Sequence, residues 1–240
     1  MPVYSRYGYG FDSTFILVLI GIVLCLGASA LVKSTMKKYQ KVANSRGITG
    51  AEAARRILDA EGLYQVQVEC LDAEGGDHYD PRTNTVRLSR ENYASVSVTA
   101  VGVAAHECGH AIQHASGYFP LNARTALVPV ANLGSNLGVP IIFVGIILSW
   151  NQILIQIGIW AFAFAVLFQL VTLPVEFNAS RRAVLKIEQY GLMGTQETDG
   201  AKKVLFAAAL TYVAAAAAAA LQLLRLILLY GGGGSSRKRR

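Results

Sequence analysis

Charge is what this sequence has least of. Asp, Glu, Lys and Arg make up 15% of its 240 residues, where a soluble domain carries about a quarter. The deficit is concentrated: residues 13–32, 125–175 and 204–224 carry no charge at all, which excludes an ordinary water-soluble globule. Paired cysteine spacing is also missing. Cys25, Cys70 and Cys108 form no CxxC, so neither a disulfide framework nor a thiolate zinc site is expected, and all three read as incidental thiols. No internal repeat or long disordered stretch is evident.

The uncharged runs are what the chain has instead. A membrane-spanning helix needs roughly 20 mainly apolar residues. Residues 13–32 fit one span, and at that length they exceed the apolar core of a signal peptide, about 7–15 residues, so an uncleaved anchor is expected. Residues 126–173 fit a transmembrane hairpin, with Ser149, Asn151 and Gln152 around Trp150 as its turn and the Trp at the interface. Residues 203–229 fit a last helix that crosses the membrane or lies against it, followed by a flexible basic tail at 231–240. The expected fold is therefore mainly α: about four transmembrane helices plus a small α+β region with a short β-hairpin.

The net charge of +7 is unevenly placed. Lys33, Lys37, Lys38, Lys41 and Arg46 follow the first span; Arg181, Arg182, Lys186, Lys202 and Lys203 lie between the hairpin and the last span. The positive-inside rule puts both segments in the cytoplasm and the N-terminus, with Arg6 alone before the span, outside. Arg237, Lys238, Arg239 and Arg240 run against this pattern if the last helix crosses. The tail reads as a membrane-flanking charge cluster, so a nucleic-acid partner is not expected.

Residues 33–125 form a cytoplasmic region. Residues 33–46 continue a basic helix along the membrane surface. Thr49 to Glu52 has the form of a capping box, opening an amphipathic helix over 50–61 that Gly62 stops. Val66, Val68 and Cys70 alternate with polar residues, as do residues 85–89, predicting two paired strands with His78, Tyr79 and Asp80 in their connection and Gly75-Gly76 and Asp80-Pro81 as turns. A helix over 95–115 follows.

That helix carries the chemistry, His106-Glu107-Cys108-Gly109-His110. Histidines at i and i+4 project from one helix face and can share one zinc ion, with Glu107 beside them to take a proton from the attacking water. Three of the four histidines lie in this segment, its flanks are small or apolar, and Gly109 leaves room beside the metal. A catalytic zinc takes a third protein ligand and keeps one position open. His114 lies about 5.4 Å further along the axis, an awkward reach, and reads as supporting a ligand from behind, facing substrate, or plainly structural. Glu176 is the better candidate: residues 125–175 supply two crossings and return the chain to the side of His106. Pro174 suits the start of a new helix there, and residues 174–202 are expected to form the third-ligand region.

Taken together, His78-Tyr79-Asp80-Pro81, Val86-Arg87-Leu88-Ser89 and the segment from Ala105 to His114 resemble the YugP-type membrane-bound neutral zinc metallopeptidases, bacterial integral membrane proteins, over nearly the whole chain. The resemblance implies a zinc peptidase anchored by several spans, its small α+β part being a gluzincin-like zinc-peptidase region. A more distant similarity is to the heat-shock protease HtpX and the CAAX prenyl proteases, where the ligand Glu begins an ExxxD helix whose Asp supports a zinc histidine. Glu176 matches the ligand, but Ser180 stands where the Asp would be. Asn178 or Asp80 is a candidate replacement for that support. In peptidases of this build a strand beside the helix binds substrate as an added strand, a role open to residues 85–89; His78, Tyr79 and Arg181 are candidate donors to an oxyanion.

The expected function is hydrolysis of peptide bonds in membrane or membrane-associated proteins at the cytoplasmic face of the cell membrane, with Zn2+ on His106, His110 and Glu176 and with Glu107 as general base. Its expected partners are protein or peptide substrates and the lipid bilayer; the sequence sets no oligomeric state. The rival from another class is a zinc-binding scaffold that has lost catalysis, supported by the departure at Ser180. A transporter is disfavoured because the spans carry almost no ionisable residues.

Overall fold

The computed structural model describes residues 12–71 and 76–231; Arg6, Gly75 and the basic tail lie outside the described residues. In chain order the elements are α1 (Phe15–Gln40), α2 (Gly50–Ala60), β1 (Gln67–Leu71), β2 (His78–Asp80), β3 (Thr85–Ser89), α3 (Arg90–Ala94), α4 (Val98–Ala115), α5 (Phe119–Ile147), α6 (Gln152–Gln189) and α7 (Thr195–Tyr230). Four helices, α1, α5, α6 and α7, are long and apolar enough to cross a membrane, as the uncharged runs require. The described residues fall into two compact units: those within 1–26, 129–167 and 214–240, and those within 27–128 and 168–213.

In the first unit α5 turns into α6 at residues 148–151, where Ser149 and Trp150 take φ of 56° and 59°. Asn151 then caps α6, its Oδ1 accepting from the backbone N–H of Ile153 at 3.1 Å and Leu154 at 3.3 Å. This is the expected hairpin turn. Its buried core is small, Ile142, Ile155, Ile159 and Leu226, while most large side chains of these helices, such as Leu133, Phe143, Ile153 and Trp160, face outward. A helix that exposes apolar residues all round has lipid as its solvent.

The second unit has the larger core. Thr49 and Glu52 close the capping box that starts α2, and Gly62, at φ +73°, follows its C-cap. Ala53, Ala54, Ile57 and Leu58 of α2 are fully buried in one cluster with Val101, Ala104, Ala105 and Cys108 of α4. Each such Ile or Leu stabilises the fold by about 1.5–3 kcal/mol. The 3.6-residue spacing thus buries the amphipathic face of α2, and α4 provides the surface it covers.

Five expectations need correction. The strand segments around 67–71 and 85–89 pair directly but in parallel, Val68 opposite Val86 and Cys70 opposite Leu88. His78–Asp80 is itself a strand, antiparallel to β3, so the sheet is three-stranded in the order β1-β3-β2. Three residues are too few to show alternation, and a parallel pair needs the long connection that was read as a loop. With partners on both edges, β3 has no free edge for a substrate strand. The motif helix starts at Val98, because Ser97 caps it by accepting from Ala100 N–H at 3.1 Å; the short α3 precedes it. Pro174 lies inside α6 rather than opening a new helix. Losing one backbone bond there is tolerated because apolar helices are supported by their neighbours.

Candidate metal centre

The helix α4 places His106 and His110 one turn apart, and the Nε2 atoms of the two rings lie 3.2 Å from each other. Between them, Gly109 faces α6: a Cβ there would come within 2.6 Å of the Ala179 carbonyl oxygen. The glycine therefore makes room for a helix backbone, not for a metal as the sequence suggested. That close approach brings Glu176, one turn before Ala179 on α6, to the histidines. Glu176 Oε2 lies 3.4 Å from His106 Nε2 and 3.7 Å from His110 Nε2.

Side-chain amides set the ring orientation. Gln113 is fully buried. Its Nε2 donates to the Val175 carbonyl at 2.8 Å and to Asn178 Oδ1 at 3.0 Å, so its Oε1 is left to accept. His110 Nδ1, 3.0 Å from that oxygen, must carry the proton. His110 Nε2, 3.2 Å from His106 Nε2 and 3.7 Å from Glu176 Oε2, is then left with its lone pair. On the other ring, His106 Nδ1 lies 3.2 Å from Ser180 Oγ, which can accept the Nδ1 proton and leave Nε2 with its lone pair. Asn178 Oδ1 also accepts from Arg182 Nε at 2.8 Å, holding the network to α6.

Three acceptors thus converge, with their ligand atoms all within 4.8 Å of one another. Glu176 Oε2 is buried and has no hydrogen-bond partner among the described residues, whereas Oε1 faces Arg124 Nη1 at 3.6 Å. Converging lone pairs repel, and an orphaned buried carboxylate oxygen is costly. A divalent cation removes both penalties, and two imidazoles with one carboxylate are a donor set that suits zinc. Burial pulls the His110 pKa down, but Glu176 and Glu107 more than offset it, and the net direction is up.

Glu107 is buried beside these groups. Burial pushes its pKa up, partly countered by His106 and His110, which suits a group that must hold a proton in transit. It lines a cavity of 660 Å³ together with His106, His110, Glu176, His78, Tyr79 and His114. Tyr79 OH donates to Asn84 Oδ1 at 3.1 Å, so its contact with His114 Nδ1 at 2.9 Å is one in which the imidazole donates. His78 Nδ1 is held to the Gly76 carbonyl oxygen at 2.9 Å. Arg181 is not brought here; it is exposed and lines a separate cavity with Arg182 and Lys186. Asp80 faces Arg87 at 3.0 Å, not a histidine. Burial raises the Cys108 thiol pKa and keeps it protonated, with Sγ 3.6 Å from the Ala54 carbonyl oxygen.

Four residues at the site escaped the sequence reading. Gln113 had a usable signal: a polar residue on the buried face of a helix, one turn after a candidate ligand. Arg124 is the last charge before the uncharged run. Asp77 and Tyr212, which line the same cavity, stand just before β2 and in an Ala-rich helix, where nothing in the spacing marks them.

The profile of a family described as "Putative neutral zinc metallopeptidase" matches residues 14–231. The chain is also similar to the protein named "Putative membrane protease YugP" of Bacillus subtilis (strain 168), 48% identical over 197 residues, which is 82% of this chain and 87% of that one. No solved structure matches the chain.

Proposed function

We propose, since the chain belongs to this zinc metallopeptidase family and is a membrane protein with four helices able to span a bilayer, that it is a zinc-dependent endopeptidase acting on membrane or membrane-associated proteins. The observation that carries the reading is the convergence of His106, His110 and Glu176 on one point beside the buried Glu107. His106, His110 and Glu176 would hold the ion. When bound, zinc supplies a Lewis acid and brings the pKa of water toward about 7.

The remaining work falls to the chain. Glu107 takes a proton from the attacking water and delivers it to the leaving amine. Gln113 and Ser180 fix the imidazole orientations, a support that sets ligand basicity as well as direction. Arg124 balances the Glu176 carboxylate and faces the cavity, where a substrate carbonyl would lie. The departure at Ser180 from the ExxxD pattern replaces an ionic support by a neutral hydrogen bond and leaves the ring held. By the distribution of Lys and Arg, the site works on the cytoplasmic side of the cell membrane.

The test is Glu107→Gln in detergent-purified protein. Stoichiometric zinc with loss of chelator-sensitive cleavage of an unfolded protein substrate supports the mechanism. Cleavage at the parental rate overturns it. Zinc binding by the parent without cleavage of any substrate would favour a scaffold instead.

A further inference from the structure

The cluster of His106, Glu107 and Glu176 lines two cavities, and the mechanism uses only one. The larger is walled by polar groups, among them His78, His114, Asn122 and Arg124. The smaller, 170 Å³, has an apolar wall of Met36, Val103, Val204, Leu205, Ala208 and Ala209, and it too reaches His106, Glu107 and Glu176. Peptide hydrolysis by itself has no need of the second.

We propose that the smaller cavity is a specificity pocket, receiving the substrate side chain next to the scissile bond and selecting an apolar one of Leu, Met or Phe size. This rests on the peptidase reading of the adjoining site.

The pocket follows from the sequence of α7. Val204, Leu205, Ala208, Ala209 and Tyr212 recur at i, i+1, i+4, i+5 and i+8, which is one helical face. Two alanines in the middle of that face leave a hollow, with larger residues one turn away on either side. Nearby, α4 and α7 lie close: a Cβ on Gly102 would stand 3.3 Å from the Ala201 Cβ. Val103, one turn before His106, lines the α4 wall.

Size and charge select the occupant. A dry cavity of about 150 Å³ accepts benzene, so one of 170 Å³ admits a Leu, Met or Phe side chain and leaves an Ala side chain under-packed. Asp77, Glu107 and Glu176 also line it, and among the described residues no Lys or Arg does, so an Asp or Glu side chain finds no cationic side chain to pair with there. Both Asp77 oxygens are already engaged, by Ser89 N–H and Asn92 Nδ2 at 2.7 Å each. A Lys or Arg side chain would therefore turn to Glu107 and block the base.

The experiment uses the full chain in detergent and a peptide series varied only at the two residues flanking the scissile bond. Leu or Phe at one of these positions should be cleaved about tenfold or more faster than Ala, the scale on which an apolar pocket discriminates, and Asp should be cleaved slower still. Ala208→Leu and the milder Ala208→Val should move the preference toward Ala, and Val103→Ala should extend it to Trp. Binding of fluorescent peptides to Glu107→Gln protein should follow the same order without any cleavage. Zinc-dependent cleavage that is indifferent to the flanking side chain, or preferences unchanged in all three variants, would overturn the pocket while leaving the peptidase intact. Absence of cleavage with size-ordered binding would sink the hydrolytic reading and keep the pocket; absence of both would sink the two together.

Discussion

Within residues 129–167, α5 and α6 meet through glycine; within the unit of residues 27–128 and 168–213, α4 and α6 meet through glycine and a set of side-chain amides. In the first case a Cβ on Gly134 would fall 2.1 Å from the Ala161 carbonyl oxygen and one on Gly158 would fall 2.6 Å from the Gly138 carbonyl oxygen. Small residues at helix contacts give van der Waals packing where lipid supplies no hydrophobic drive. In the second case the Gly109 contact is joined by Gln113, Asn178, Ser180 and Arg182. The same close approach yields only cohesion where the neighbours are apolar, and yields a chemical site where buried amides fix what lies beside it.

The comparison can be broken most severely at Gly109. Gly109→Ala should push α6 away from α4, so that purified protein retains little or no zinc by metal analysis and shows no cleavage; full zinc content would show that the contact does not position Glu176. Gln113→Ala comes next. It frees the His110 ring and removes the side-chain bond to α6, and zinc affinity measured by competition with a chelator should fall about 10–100-fold, with Gln113→Glu restoring part of the loss. Gly134→Val should act on the other unit alone. Overpacking of this kind costs on the order of 1–3 kcal/mol, read as a lower melting temperature in detergent, while zinc stoichiometry should match the parent.

The smallest expected effect concerns the sheet. The Arg82 backbone N–H and the Arg87 guanidinium hold the Asp80 carboxyl below its ordinary value. A depressed folded pKa contributes stability above the unfolded value of about 3.9 and loses it as pH falls through the folded one. In chelator-treated protein, the melting-temperature advantage of the parent over Asp80→Asn should shrink as pH falls below about 4. An advantage that does not change with pH would assign it to packing.

Much of this was legible in the residues. The uncharged runs fixed the spanning helices because hydrocarbon tolerates little else, and the capping box of Thr49 and Glu52 fixed the start of α2 to the residue. Spacing brought out His106 and His110; parity of crossings brought out Glu176. What could not be read was cooperative across the chain. The parallel pairing of β1 with β3 depends on a connection that carries no alternation. The continuity of α6 through Pro174 depends on neighbours that a local proline rule ignores. Gln113 matters only because Val175 and Asn178 arrive opposite it, and no pattern near Gln113 announces residues so far along the chain.

Because Glu176 is delivered by α6 and the two histidines by α4, the constellation does not exist in a partly made chain. A ribosome that has finished α4 has produced a helix with two imidazoles and no third partner, and it must go on through the whole hairpin before that partner emerges. Any chemistry that needs all three groups is thereby withheld until the hairpin has been made.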